Sequence, residues 1–444
     1  MFWAPLPFGG AEPLAELVQR LTVCTVLLLI ALRGYRSGRL RHLRWPLLAC
    51  AALALLALVQ SLPLPGGLVA TLSPEHGRLF AAAGELLGEP VTAALSLAPS
   101  ASRSAALGWA FVGLYLLAGG WVACRRRNRR GLALAVAAVA LFEIFYGTSG
   151  WLSGGAEIWG RAAPATDTRL RGTFVNSDHL ATLFELVLAM AFAWGWWALR
   201  RGRWSSSIER RLALAAPPLL LWLAVFAGLA FTGSRAGLVA AVVGAGLQGV
   251  LLAVASGRAR WAPVGLVAAL AGILVVVFAG LGQGFGRLLS TSVFEVVRGG
   301  RAQAYEACLE LWQRFPIFGS GAGSFRDAFP LVQPATLPGT WLHAHNDPLE
   351  LLVTHGLLGI LIFVAGAFWL VRRQFQVLRF GERSEDRATA LAALGAVATM
   401  AVHECFDFGL TVPSNSLAFA VLCGAALVAK TADEEPTLAG GGGR

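Results

Sequence analysis

Residues 341–359, WLHAHNDPLELLVTHGLLG, pass from a polar segment into an apolar run that continues to about residue 371, the pattern of a helix mouth at a membrane boundary. Asp347 is a candidate N-cap and Pro348 suits the first turn. Glu350, three residues after that cap, stands where a capping box places its carboxylate. His345 and Asn346 then lie just before a helix N-terminus, whose partial positive charge attracts anions and favours neutral imidazole over imidazolium. A neutral histidine beside an anion site can act as a base. Taken alone, the stretch reads equally well as a histidine that only hydrogen-bonds at a helix start.

The whole chain has the composition of a membrane protein. Of its 444 residues 56% are hydrophobic and 14% charged, with a mean hydropathy of +0.64, which excludes a water-soluble domain of ordinary composition. Apolar runs reach the roughly 20 residues a helix needs to cross a bilayer, without the dense alternation of a barrel. The expected fold is all-α, a polytopic membrane protein of about eleven or twelve spans. The net charge of +11 comes largely from arginines in short segments at 33–44, 125–130, 200–211, 258–260 and 372–387, the usual enrichment of cytoplasmic loops, so topology accounts for it better than a nucleic-acid partner. Five of the six cysteines lie in or at the ends of apolar runs, with only Cys308 in an outer segment, so no disulfide framework or thiolate metal site follows. The start, MFWAPLPFGGAEP, lacks a basic n-region and does not read as a cleavable signal. It looks like the segment after a preceding helix, which suggests a missing first span or a re-entrant start.

Hydropathy places spans at 14–32, 45–62, 105–124, 131–152, 176–199, 212–231, 238–255, 264–281, 349–371, 388–406 and 418–430. The chain divides into N-terminal spans and a first outer segment (1–104), central spans carrying GTFVNSDHLA and TGSRAG (105–281), a long outer segment (282–347), C-terminal spans (348–430) and a tail (431–444). Within the first outer segment, residues 63–104 suggest a short helix or loop. In the long one, Tyr305, Cys308, Leu309, Trp312 and Phe315 recur at helical spacing and predict an amphipathic helix over 301–315, stopped by Pro316. The following GSGAGSF should be a close turn; it lacks the strand and GK[ST] context of a phosphate loop.

Charged groups near membrane depth are costly, so outer-face arginines invite a functional reading. These are Arg169, Arg171, Arg235, Arg298 and Arg301. Arg235 opens an incoming helix after almost no loop, where its charge opposes the helix dipole, and an anionic partner would relieve that penalty. Snorkelling to lipid phosphates is the plainer alternative. Arg301 also begins a helix. GTFVNSDHLA (172–181) repeats the pattern at another helix mouth, where Asn176 or Ser177 can cap and Asp178 and His179 follow; alone, this is mostly capping. His403 and Asp407 suggest a structural polar pair. There is no HExxH, no cysteine pair and no clear acidic pair for Mg²⁺. Arginines stabilising a leaving diphosphate and a histidine handling an acceptor proton fit the residues present, with no metal or cofactor.

His345-Asn346, nine residues, Gly356, two residues and Gly359 match the H-[NSQ]-x9-G-x-x-[GTY] pattern of the O-antigen ligase and polymerase family of bacterial envelope glycosyltransferases. GTFVNSDHLA, TGSRAG, the segment from Arg301 through Trp312 to GSGAG, and DFGLTVPSNS also resemble that family's blocks in order, over roughly residues 105–430. The resemblance implies a GT-C-like membrane fold in the bacterial inner membrane with its site facing the periplasm. It implies inverting, metal-independent transfer of a glycan from undecaprenyl diphosphate to a hydroxyl acceptor, either lipid A core (ligase) or a growing polysaccharide (polymerase). Arg235 and Arg301 would bind the diphosphate and His345 would activate the acceptor, with Arg169, Arg171, Asn176, His179 and Asn346 as further substrate contacts. The ligase reading is preferred because the histidine pattern fits ligases closely. A lipid-linked oligosaccharide flippase or transporter is the alternative of a different class, but it would need a charged path through the membrane.

Overall fold

A computed structural model describes residues 1–34, 37–154, 157–162, 169–202, 207–258 and 300–432. The expected span at 264–281, Arg298 and the start of the long outer segment lie outside the described residues. Among the described residues the protein is almost entirely helical, with one two-residue hairpin, Glu157–Ile158 with Arg161–Ala162, and eight helices long and apolar enough to cross a membrane.

The helices are α1 (Pro13–Leu32), α2 (Arg44–Gln60), α3 (Gly66–Leu72), α4 (Pro74–Leu87), α5 (Pro99–Ala123), α6 (Arg126–Leu152), α7 (Ser177–Gly202), α8 (Ile208–Phe231), α9 (Arg235–Ala255), α10 (Gly300–Arg314), α11 (Asp347–Phe380), α12 (Ser384–His403) and α13 (Pro413–Leu427). The first outer segment therefore forms two helices, α3 and α4. Helix α1 turns Leu14, Leu21, Leu28 and Leu32 outward, a surface suited to lipid and a liability in water. Its Thr22 and Thr25 hydroxyls donate back to the carbonyls of Val18 and Leu21, so neither is left unpaired in an apolar medium.

Helix α7 stands at the centre, with every residue from 180 to 191 buried, and packs against α8, α9 and α12. Buried glutamines add hydrogen bonds to the dispersion contacts between these helices. Gln248 of α9 donates to the carbonyls of Ala189 in α7 and Leu391 in α12, and Gln19 of α1 donates to Tyr115 in α5 and to the Pro413 carbonyl. Residues 1–12 fold into tight turns around Phe8–Gly10 and are pinned by Ser414 donating to the Gly9 carbonyl and Thr173 to the Pro5 carbonyl.

At one end of the bundle several arginines of these runs are consumed by structure. Arg129 is buried, pairing with Asp386 at 2.6 Å and donating to the Ala123 carbonyl at the end of α5, while Arg39 donates to the Cys124 carbonyl. Arg126 pairs with the same Asp386 at 3.1 Å, and Arg373 donates to the carbonyls of Leu427 and Ala429 after α13. Cations at helix C-termini both satisfy orphan carbonyls and oppose the negative end of the dipole.

Helix α11 departs from the sequence expectation in two ways. Its cap is Asn346, whose side chain accepts from the Leu349 amide at 3.0 Å; Asp347 is already helical, because Asn346 holds the extended backbone that a cap requires. Glu350 consequently does not close a capping box on Asp347. It reaches further back, accepting from the Ala344 amide at 2.8 Å and meeting His343 Nδ1 at 3.1 Å. The helix is also broken, with Gly356 at φ 65°, ψ −169°. Glycine is needed there because only it enters that region cheaply.

The break is filled by GSGAGSF. Leu357 and Leu358 donate to the carbonyls of Pro316 and Ile317, while Ser320 and Gly321 donate to those of Val353 and Thr354, so the backbone groups freed by the break are paired. Gln60 of α2 completes the seam by donating to the carbonyls of Phe318 and Thr354 and accepting from the Ala322 amide. The glycine turn is therefore the plug of a discontinuous helix. In α10, which packs on the first half of α11, Ala304, Ala307, Cys308 and Leu311 are buried, Phe315 is buried just after the helix and Trp312 is half-buried against the same cluster; of the expected face only Leu309 turns outward. Burial pushes the Cys308 thiol up to about 12.

Candidate functional site

The segment HECFDF, residues 403–408, leaves the end of α12 and gathers side chains from distant parts of the chain. His345 Nδ1 lies 3.3 Å from Asp407 Oδ1. Arg301, the second residue of α10, donates through Nη1 to the Phe406 carbonyl at 3.0 Å. The Asp347 amide donates to the Glu404 carbonyl at 2.8 Å, docking the mouth of α11 onto the same segment. Three imidazoles surround Phe408: His343 stacks on it at 4.2 Å, and His179 and His345 meet it edge-on at 4.8 and 4.9 Å.

The backbone at His345 is itself unusual. Its φ is +51°, a left-handed conformation that a side chain other than glycine holds only when its surroundings over-determine it. They do so here: Tyr305 of α10 donates its hydroxyl to the His345 carbonyl at 2.9 Å, and Asn346 is fixed by capping α11. Burial raises the Tyr305 phenol above its ordinary value, which keeps it a neutral donor.

Asp407 determines the state of the imidazole. Burial works to raise its carboxyl, but the hydrogen bond from His345 and the fields of His179, His403 and His345 overcome that and hold it below its ordinary value. An ionised carboxylate only accepts, so the proton of a neutral His345 sits on Nδ1 and Nε2 keeps its lone pair. Asp407 is 5% exposed and His345 33%, which leaves the imidazole accessible from outside while its orienting partner is enclosed.

Arg235 lies at the first position of α9, immediately after the three-residue turn from α8, with Ser234 capping through the Gly237 amide at 3.2 Å. The start of α9 abuts Glu185: a Cβ on Gly237 would stand 2.8 Å from Glu185 Oε1. Glu185 in turn meets His403 Nδ1 at 2.5 Å, both fully buried, a cross-link between α7 and α12. His403 is thus paired with Glu185, and Asp407 with His345; the two do not pair with each other as their spacing suggested, since they leave the end of α12 toward different neighbours.

Of the remaining sequence candidates, His179 reaches the Phe408 ring. Asn346 is committed to the cap. Asn176 Oδ1 accepts from the Asp178 amide at 2.9 Å at the start of α7, and Arg169 pairs with Asp178 at 3.3 Å, so both sit at that helix mouth. Arg171 is buried behind it, in a segment anchored by Leu170 donating to the Phe231 carbonyl and Glu143 accepting from Thr173. Asp407, Tyr305, His343 and Phe408 were missed as site residues. The available signal was the density of polar and aromatic residues in HECFDF within an otherwise apolar stretch. Among the described residues no group of three His, Cys, Asp or Glu is spaced to share a metal ion.

Such an arrangement offers a base with a fixed tautomer, a neighbouring guanidinium and an aromatic floor. Residues 219–364 match the family model described as Wzy_C, O-antigen ligase, a stretch that runs from within α8 through the break in α11 and includes Arg235, Arg301, His345, Gly356 and Gly359 but stops short of residues 403–408. The comparison with curated proteins gives no match to this chain.

Proposed function

From an O-antigen ligase domain whose histidine is oriented by a carboxylate outside that domain, we propose that this multi-pass membrane protein transfers a glycan from undecaprenyl diphosphate to a hydroxyl acceptor. The observation that carries the reading is His345: held in a left-handed backbone, bonded through Nδ1 to Asp407 and next to the segment that Arg301 contacts. The acceptor hydroxyl gives its proton to His345 Nε2 as its oxygen bonds to the anomeric carbon. The bond from that carbon to the phosphate oxygen breaks, and undecaprenyl diphosphate departs with the electron pair. Attack from the face opposite the leaving group inverts the anomeric centre. Arg301 and Arg235 stabilise the charge that develops on the diphosphate, the role for which guanidinium forks are suited.

The reading places the HECFDF end in the periplasm and the arginine-rich end in the cytoplasm, as the distribution of basic loops favours. It takes lipid A core as the acceptor, the ligase form, because the sequence pattern around His345 fits ligases closely. Purified protein given lipid-linked glycan in EDTA, with and without lipid A core, tests it. Glycan-capped core is the expected product. Long chains formed without core identify a polymerase instead, and the absence of any new glycosidic bond overturns the transferase reading.

A further inference from the structure

We propose that the arginine-rich end carries a binding site for the phosphate-bearing headgroup of an anionic phospholipid, in a cleft between α2 and α11. The two helices touch where a Cβ on Gly366 would stand 2.5 Å from that of Ala49. One turn beyond, toward the arginine-rich end, Trp45 and Trp369 stack with ring centroids 5.6 Å apart and planes at 18°. Above the tryptophans opens a cavity of about 370 Å³ lined by Arg41, Arg44, Arg372 and Arg373.

The guanidinium of Arg44 lies 5.1 Å from the Trp45 ring and that of Arg372 lies 5.0 Å from Trp369. Stacking fixes each guanidinium plane and leaves its edge of N–H donors for a bidentate oxygen acceptor. Arg373 is buried at the back, fixed by the carbonyls of Leu427 and Ala429. No acidic residue lines the cavity among the described residues, in contrast to the neighbouring Arg126, Arg129 and Arg130, which meet Asp386 and Glu385. Arg41, Arg44 and Arg372 meet no carboxylate among the described residues, and positive charge so concentrated calls for an anion from outside.

The surroundings favour a lipid over a soluble phosphate. Leading away from the tryptophans toward mid-membrane, α2 exposes Leu48 and Leu55 and α11 exposes Val364 and Phe368, an apolar surface along which acyl chains can lie while the headgroup occupies the cavity. Neither the transfer chemistry nor the HECFDF segment uses these residues, so the site is independent of the proposed reaction.

Native mass spectrometry of the full-length protein, offered phosphatidylglycerol or phosphatidylcholine at equal concentration, tests the assignment. The protein should retain phosphatidylglycerol in preference. Arg44→Gln with Arg372→Gln should weaken that retention about thirty-fold, or about fivefold for each arginine, and Arg41→Gln alone about fivefold. Melting in phosphatidylcholine should be unchanged by Arg41→Gln, whose side chain is exposed, so its loss of retention reports on binding alone. Equal retention of the two lipids, or undiminished retention by the variants, overturns the proposal. Displacement of phosphatidylglycerol by an equal concentration of inorganic phosphate overturns the lipid assignment in favour of a soluble phosphate.

Discussion

Helix α12 joins two regions that hold charge in opposite ways. At its first turn Asp386 is fully buried between Arg126 and Arg129, each carboxylate oxygen meeting a guanidinium. Beyond its last turn, about 25 Å away along a helix of this length, Asp407 meets only one corner of an imidazole whose other side is accessible. The first arrangement closes on itself and contributes to packing. The second leaves a lone pair, a strained backbone and an aromatic floor uncommitted. A guanidinium on a helix carbonyl and an imidazole on a helix mouth thus look alike in sequence and differ in whether protein partners exhaust them.

The comparison breaks first on activity. His345→Ala should reduce glycan transfer about 10²–10⁴-fold, the range a positioned acid or base supplies, while leaving the melting temperature near that of the parent. Arg129→Ala should do the reverse, costing about 3 kcal/mol of stability by removing the closer of the two guanidiniums that hold the buried Asp386, with transfer per folded molecule retained. If His345→Ala lowers stability as much as Arg129→Ala and leaves transfer intact, the two ends do not differ as argued.

Gly356→Ala should cost about 3 kcal/mol or more, read as a lowered melting temperature, because an added methyl would collide with the Ile317 carbonyl in a backbone conformation closed to alanine. Asp407→Asn sharpens the comparison through pH. A carboxyl whose native value is depressed contributes stability above its unfolded value, near 3.9, and loses it as pH falls through the lower native value. The difference in melting temperature between Asp407→Asn and the parent should therefore hold constant from pH 7 to about pH 4 and shrink below. A difference that already declines by pH 6 would place the coupling elsewhere. The smallest effect is at His345 itself: His345→Gly should be more stable than His345→Ala by about 1 kcal/mol, since glycine relieves the positive φ. Both variants should be inactive in transfer.

Much of the architecture was legible because it is local. Apolar runs of sufficient length gave helices near the expected limits for α1, α2 and α5 to α9, and Arg235 took up the helix-start position implied by so short a connection. Arginine runs were legible as one end of the bundle, though not as the carbonyl and carboxylate partners they became. Around the candidate site, local chemistry misled in small ways. Asn346 rather than Asp347 caps α11, because the choice depends on which residue the incoming chain holds extended. On α10 the expected face is buried or half-buried except at Leu309, which turns outward while Ala304, Ala307 and Leu311 fill the contact.

By itself, then, the sequence determined an all-α membrane protein with His345, Asn346 and Arg235 at helix mouths, because bilayer crossing and capping are decided within a turn or two of chain. Only the tertiary structure decided that the eleventh helix breaks at Gly356 around a glycine plug, and that Asp407, 62 residues from His345, sets its tautomer. Those features depend on backbone groups and side chains that meet only when distant helices pack, and no periodicity along the chain records such a meeting.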